Sequence, residues 1–112
     1  MIEIKEDKGI IVAGFSEEDR LNSLISDSIK ESLLSHYKKP NTKMILDLEG
    51  IKFIDSSGFG VFLSVMKAAN NNYGEFKICH VAPDVKELFQ VLQLHTILDI
   101  YDSLDECIAS FN

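Results

Sequence analysis

The sequence predicts an α/β domain: a small mixed sheet of about four to five strands flanked by about four α-helices. Three observations carry this. An alternating stretch and an apolar stretch lie on either side of a turn signal near the start, which predicts an antiparallel hairpin. The run Met44-Ile45-Leu46 is continuously apolar, as in a strand buried on both faces. After the hairpin, extended and helical patterns alternate, the order that gives parallel strands joined by right-handed crossovers.

The elements follow in order. Ile2-Glu3-Ile4-Lys5 has a period of two and reads as an edge strand. Asp7-Lys8-Gly9 is a turn signal, and Ile10 to Phe15 is a second, more buried strand. Leu21 to Tyr37 is predicted as a helix, with Leu21, Leu24, Ile25, Ile29, Leu33 and Leu34 in one apolar stripe. Lys38-Lys39-Pro40-Asn41 ends it. Lys43 to Leu48 is a strand. Ser56 or Ser57 then caps a second helix that runs to about Asn70 and is stopped by Asn70-Asn71-Asn72-Tyr73-Gly74. Glu75 to Val81 is a strand. Pro83-Asp84 opens a short helix through Leu92, and Leu94 to Tyr101 holds a short extended piece. Asp102-Ser103 caps a last helix over roughly Leu104 to Phe111. With no repeat, linker or low-complexity tract, residues 1–112 read as one domain.

Size and composition agree: 112 residues suit one domain, and 46% hydrophobic with 26% charged residues suits a soluble globular one. The net charge of −7, from 11 basic and 18 acidic residues, opposes binding to nucleic acid and to anionic membranes. The charged start does not read as a signal peptide. No apolar run approaches the roughly 20 residues that span a bilayer, so a cytoplasmic protein without a membrane span is expected. Cys79 and Cys107 form no Cys-x-x-Cys pattern, and His36, His80 and His95 have no metal-ligand spacing. The cysteines read as thiols in a reducing compartment and the histidines as structural or solvated, with no metal or cofactor expected.

The stretch from Met44 to Met66, MILDLEGIKFIDSSGFGVFLSVM, carries the functional signal. A buried strand is followed by Glu49-Gly50, by the apolar anchors Ile51, Phe53 and Ile54, and then by Asp55-Ser56-Ser57-Gly58 where a helix begins. Ser, Asp and Asn suit such starts because their side chains accept free N–H groups. Read blandly, these four residues only cap a helix. Gly58 and Gly60, however, both fall in the first turn, where each costs roughly 0.5–1 kcal/mol relative to alanine. Such a cost suggests close approach, by neighbouring backbone or by a partner. A hydroxyl at a helix N-terminus is also well placed to carry phosphate. Phe59, Phe62 and Met66 are at helical spacing and suit core or interface alike, since Val61, Val65 and Ala68 offer a second apolar face.

Leu46-Asp47-Leu48 followed by Phe53-Ile54-Asp55-Ser56-Ser57-Gly58-Phe59-Gly60-Val61 resembles the signature of the STAS family, and within it of bacterial anti-sigma factor antagonists. Ile11 to Gly14, Leu21 to Leu34, His80-Val81 and Asp102 to Cys107 extend the resemblance over essentially the whole chain. It implies that Ser56 is phosphorylated. The unphosphorylated form would bind an anti-sigma factor with serine kinase activity and free a sigma factor. A serine phosphatase would restore that form. The expected partner-binding residues are Asn22, Asp55, Ser56, Ser57, Gly58, Phe59 and Phe62. Two departures stand out: Asn22 where the family usually has aspartate, and Phe59 where it usually has leucine. Several roles stay open: Ser56 as phosphoacceptor or plain cap, Asp55 as cap or kinase contact, Asn22 as cap or recognition residue, Asp47 as strand-end support or surface residue, and Ser57 as cap or neighbour rather than a second acceptor.

Rival functions fit less well. A serine hydrolase would want Gly-x-Ser-x-Gly, but Ile54 stands at the first glycine and no glycine-rich oxyanion segment appears. There is no Gly-x-x-x-x-Gly-Lys-Ser/Thr loop for nucleotide phosphates. A STAS subunit of a transporter complex, or a partner switch with a non-sigma output such as a phosphatase or secretion regulator, are the alternatives.

Overall fold

The structure is a computed structural model that describes residues 2–111. Strand β1 (Ile2–Asp7) pairs antiparallel with β2 (Ile10–Phe15), from Ile2 opposite Phe15 to Asp7 opposite Ile10. Lys8 and Gly9 both have positive φ (54° and 79°), as a two-residue hairpin turn requires for its twist to match the strands. Strands β4 (Lys43–Asp47), β6 (Glu75–Cys79) and β7 (Asp99–Tyr101) continue the sheet in parallel, in the order β1-β2-β4-β6-β7. β4 is central, and Met44, Ile45 and Leu46 are fully buried on its two faces, as the continuous apolar run predicts.

A second, two-stranded parallel sheet joins β3 (Arg20–Leu21) to β5 (Phe53–Ile54). It accounts for the first departure from expectation. Helix α1 runs Ser26–Ser35 rather than from Leu21, because Leu21 is extended in β3 and Asn22 then holds a turn. The Asn22 Oδ1 accepts the Leu24 N–H (3.0 Å), and its carbonyl accepts those of Ile25 and Ser26. An asparagine side chain competes in this way with helical hydrogen bonding. Leu24 therefore leaves the buried stripe and is 89% exposed. Tyr37 belongs to a 3-10 turn (His36–Lys38) that follows α1.

Helices α2 (Ser56–Asn71), α3 (Pro83–Val91) and α4 (Leu104–Ala109) complete the fold. α1, α2 and α3 cover the sheet face that presents Ala13, Met44, Leu46, Phe76 and Ile78. α4 covers the other face through Ile10, Val12, Ile45, Cys79 and Cys107. The strict alternation of these sets along each strand is the period of two at work. Phe59, Phe62 and Phe89 lock α2 to α3. Phe89 meets Phe59 edge-on at 5.2 Å and lies parallel to Phe62 at 5.8 Å between centroids. β6 stops at Cys79 rather than Val81, because His80 takes a left-handed backbone (φ 57°).

Candidate functional site

The start of α2 is held on a frame of short elements. β5 delivers the chain to Asp55, whose N–H donates to the carbonyl of Leu21 in β3. Asp55 is extended and is the N-cap. Its Oδ1 accepts from the Ser57 N–H (2.8 Å), the Gly58 N–H (3.3 Å) and the Ser57 hydroxyl (2.5 Å). The Ser57 hydroxyl bond, with the N–H groups of Gly58, Ser57 and Ser23, outweighs desolvation and holds the Asp55 carboxyl below the usual carboxylate range. The expectation that Ser56 or Ser57 caps this helix is thus corrected. A carboxylate can accept several donors at once, so Asp55 takes the cap and Ser56 becomes the first helical residue.

The two serines then part. The Ser57 hydroxyl donates to Asp55, and its oxygen lies 2.8 Å from the Ser26 hydroxyl, whose one proton is within reach of both Ser57 and the Asn22 carbonyl (2.7 Å). This chain staples the start of α2 to the start of α1. Ser56 is exposed, and its hydroxyl has no hydrogen-bond partner among the described residues. Of the two, only Ser56 offers a free nucleophilic oxygen to an incoming enzyme.

The other expected site residues divide by face. A Cβ on Gly58 would come 2.6 Å from Ile54 Cγ2 and 3.1 Å from Leu21 Cβ, so its close neighbour is the β3–β5 pair, not a partner. Gly60 has nothing within 4 Å of such a Cβ and faces solvent. Phe59 (7% exposed) and Phe62 (fully buried) belong to the core. Their placement on a docking surface is corrected: α2 turns that stripe onto Phe89 and the sheet. Asn22 is partly exposed and serves the turn before α1 rather than capping it directly. Asp47 lies on the α4 side of the sheet, where its Oδ1 accepts the Glu49 N–H (2.9 Å) and meets His80 Nδ1 (2.9 Å).

Two residues expected to be apolar anchors, Leu24 in the helical stripe and Phe53 before the serines, are exposed instead. Leu24 follows Ser23, whose backbone N–H serves Asp55, and Phe53, 51% exposed, lies three residues before Ser56. Phe53 carried a signal in its position next to Ile54, since one of two successive strand residues must face outward. Leu24 carried none beyond its place after an asparagine. Among the described residues no histidine hydrogen-bonds either serine: His80 meets Asp47, and His95 faces the Phe89 carbonyl. Among them also, no helix is long and apolar enough to cross a membrane.

The STAS domain family model matches residues 1–107. The chain belongs to the STAS domain family. It is 31% identical over 103 residues to an anti-sigma F factor antagonist of Paenibacillus polymyxa, a match covering 91% of this chain and 86% of that one. Among solved structures, an anti-sigma-factor antagonist (STAS) domain protein from Planctomyces limnophilus superposes with a TM-score of 0.90 at 23% identity. That match covers 97% of this chain and 96% of the other. The Bacillus cell fate determinant SpoIIAA in its phosphorylated form gives a TM-score of 0.70 at 16% identity over the whole of both chains. The alternation of strands and helices, the hairpin and the central strand read from the sequence are all borne out in this fold.

Proposed function

We propose that this protein is an anti-sigma factor antagonist that switches partners through phosphorylation of Ser56. The observation that carries the reading is the free, exposed Ser56 hydroxyl on a capped helix start, in a STAS chain whose relatives bear that name. In the unphosphorylated form the outward side of this helix start, with Asn22, Leu24, Phe53, Ser56 and Gly60, docks on an anti-sigma factor with serine kinase activity. Docking frees the sigma factor. The kinase transfers a phosphoryl group to Ser56 Oγ, and a serine phosphatase removes it. The protein itself acts in the cytoplasm as a binding module and not as an enzyme.

The geometry explains why the added charge would be felt by the partner. Phosphate brings about −1.5 to −2 charge. A helix start normally softens such a charge through its free N–H groups. Here the N–H groups of Ser57 and Gly58 are already engaged by Asp55. The phosphate therefore stands beside an ionised carboxylate and faces outward, opposing a docked surface by repulsion and by desolvation.

The test is a set of dissociation constants against the cognate anti-sigma kinase. Ser56→Ala should bind within about threefold of wild type, since Ser56 is not the cap. Ser56→Asp should bind about tenfold more weakly and the phosphoprotein about 100-fold more weakly, with the repulsive part shrinking in salt. Equal binding by Ser56→Ala and Ser56→Asp, with phosphate found on Ser57 by mass spectrometry, would show that the wrong serine had been chosen.

A further inference from the structure

Away from Ser56, the carboxyl ends of β4 and β6 bring together a second group of reactive side chains. Asp47 and Cys79 are register partners at the last rung of the β4–β6 ladder. Both point to the α4 side of the sheet, by the same alternation that places Ile45 there. His80 would ordinarily point to the opposite side, as successive strand residues do. Its left-handed backbone (φ 57°) turns the imidazole back instead, so that Nδ1 lies 2.9 Å from Asp47 Oδ1 and 4.0 Å from Cys79 Sγ. Such a conformation is uncommon outside glycine, though histidine adopts it more readily than most residues. A ligand atom from each of the three residues lies within 4.8 Å of the others. Glu49 Oε2 comes within 3.5 Å of the same imidazole nitrogen.

The geometry points to a binding site for a thiophilic divalent transition ion, Zn(II) in the first instance, held by Asp47, Cys79 and His80 with Glu49 as a fourth ligand. The donor set of thiolate, imidazole and carboxylate is the one that zinc favours over magnesium or calcium. Bonds of about 2.0–2.3 Å in a tetrahedral site separate the ligand atoms by about 3.3–3.7 Å. The observed 2.9 and 4.0 Å straddle that range and the third pair, Asp47 with Cys79, lies within 4.8 Å, so side-chain movements of about 1 Å would close the site. On binding, the Cys79 thiol releases its proton to solvent, and the Nδ1 proton that His80 donates to Asp47 is exchanged through solvent for one on Nε2, which leaves Nδ1 and the carboxylate oxygen free to bind the metal. Three of the four ligands are open to solvent, with Cys79 buried behind them. A solvent-open concavity of about 330 Å³ reaches Asp47, Glu49 and His80, and brings three carboxylates, with Glu3, against the single ammonium of Lys5. Cys107 of α4 packs with Cys79 in the same buried cluster, behind the site. An ion here would tie β4 to β6 at the root of residues 48–54, which lead to Ser56.

The experiment titrates the full chain, carrying Cys107→Ser so that Cys79 is the sole thiol, with Co(II) as the optical probe and Zn(II) as competitor. One equivalent of Co(II) should produce thiolate-to-metal charge-transfer absorption, and Zn(II) should abolish it. Cys79→Ser should remove the absorption. His80→Asn should weaken binding at least tenfold. Asparagine tolerates the left-handed backbone, so that variant keeps its fold even if a change at buried Cys79 does not. Absence of charge-transfer absorption in the protein bearing Cys79 would overturn the site. So would Zn(II) affinity that His80→Asn leaves unchanged, which would mark the metal as held by surface carboxylates elsewhere.

Discussion

The two sides of the first turn of α2 are built from the same small residues and do opposite things. Ser57 and Gly58 face inward. The hydroxyl of Ser57 is bound at 2.5 Å by Asp55, and the backbone of Gly58 is pressed onto Ile54 and Leu21. Ser56 and Gly60, four residues apart and so on one face, look outward, with an unpartnered hydroxyl and with open space. A residue that receives and loses a charged group can sit on a stable fold when its own side chain contributes nothing to that fold. The inward side supplies the rigidity; the outward side remains free to change.

The largest way to break this comparison is through the inward stripe further along the helix. Phe62 is fully buried and stacks parallel to Phe89. Phe62→Ala should lower unfolding stability by about 3–5 kcal/mol in urea titration. The folded fraction should bind the partner with unchanged affinity, because the side chain reaches no surface. A selective loss of affinity in folded protein would return Phe62 to the interface. Gly58→Ala comes next. Alanine is the better helix former by about 1 kcal/mol, yet its Cβ would meet Ile54 Cγ2 at 2.6 Å. Overpacking costs about 1–3 kcal/mol, so a net loss of stability is expected in the same assay.

These contrasts show how far the sequence could be read. The hairpin, the central strand and the helix order follow from periodicity and turn residues alone. The start of α1 did not, because a two-residue strand at Arg20-Leu21 exists only through its pairing with Phe53-Ile54, a contact more than thirty residues away along the chain. The apolar stripe of α2 was visible, but which side of it faces water depends on where α3 places Phe89. The segment Asp-Ser-Ser-Gly marked the site; only coordinates separate the serine that is tied from the one that is free. The cluster of Asp47 with Cys79 and His80 arises from strand register, so no spacing rule for metal ligands applies to it.

A smaller effect sharpens the electrostatic side. The Asp55 carboxyl titrates lower in the folded protein than in the unfolded chain, where it lies near about 3.9. Its contribution to stability is therefore full above the unfolded value and is lost as pH falls through the folded one. Asp55→Asn keeps a capping oxygen but cannot titrate, and it loses the charge that draws in the Ser57 hydroxyl. Urea unfolding from pH 7 downward should show wild type more stable at neutral pH. The gap should close across the acid range below about pH 4. A gap independent of pH would mean that shape, and not charge, makes Asp55 the cap.

The smallest expected effect tests the outward side directly. A Cβ at Gly60 meets nothing within 4 Å, so Gly60→Ala should stabilise the protein by about 0.5–1 kcal/mol through reduced backbone freedom in the unfolded chain. The fold thus gives no reason for glycine at this position, whereas at Gly58 it gives a strong one. If a partner supplies the reason, the cost of adding bulk should appear in binding and not in folding. Gly60 lies one turn beyond Ser56 on the same face, so a surface that covers the Ser56 hydroxyl also passes over Gly60. Gly60→Ala should then fold better and bind slightly worse, and Gly60→Leu should fold normally and bind at least about tenfold worse, the effect of about 1.4 kcal/mol of steric misfit. Calorimetric titration of both variants with the proposed anti-sigma partner, alongside their urea midpoints, separates the two costs. Unchanged affinity for Gly60→Leu would confine the docking surface to the N-terminal side of Ser56, around Asn22, Leu24 and Phe53.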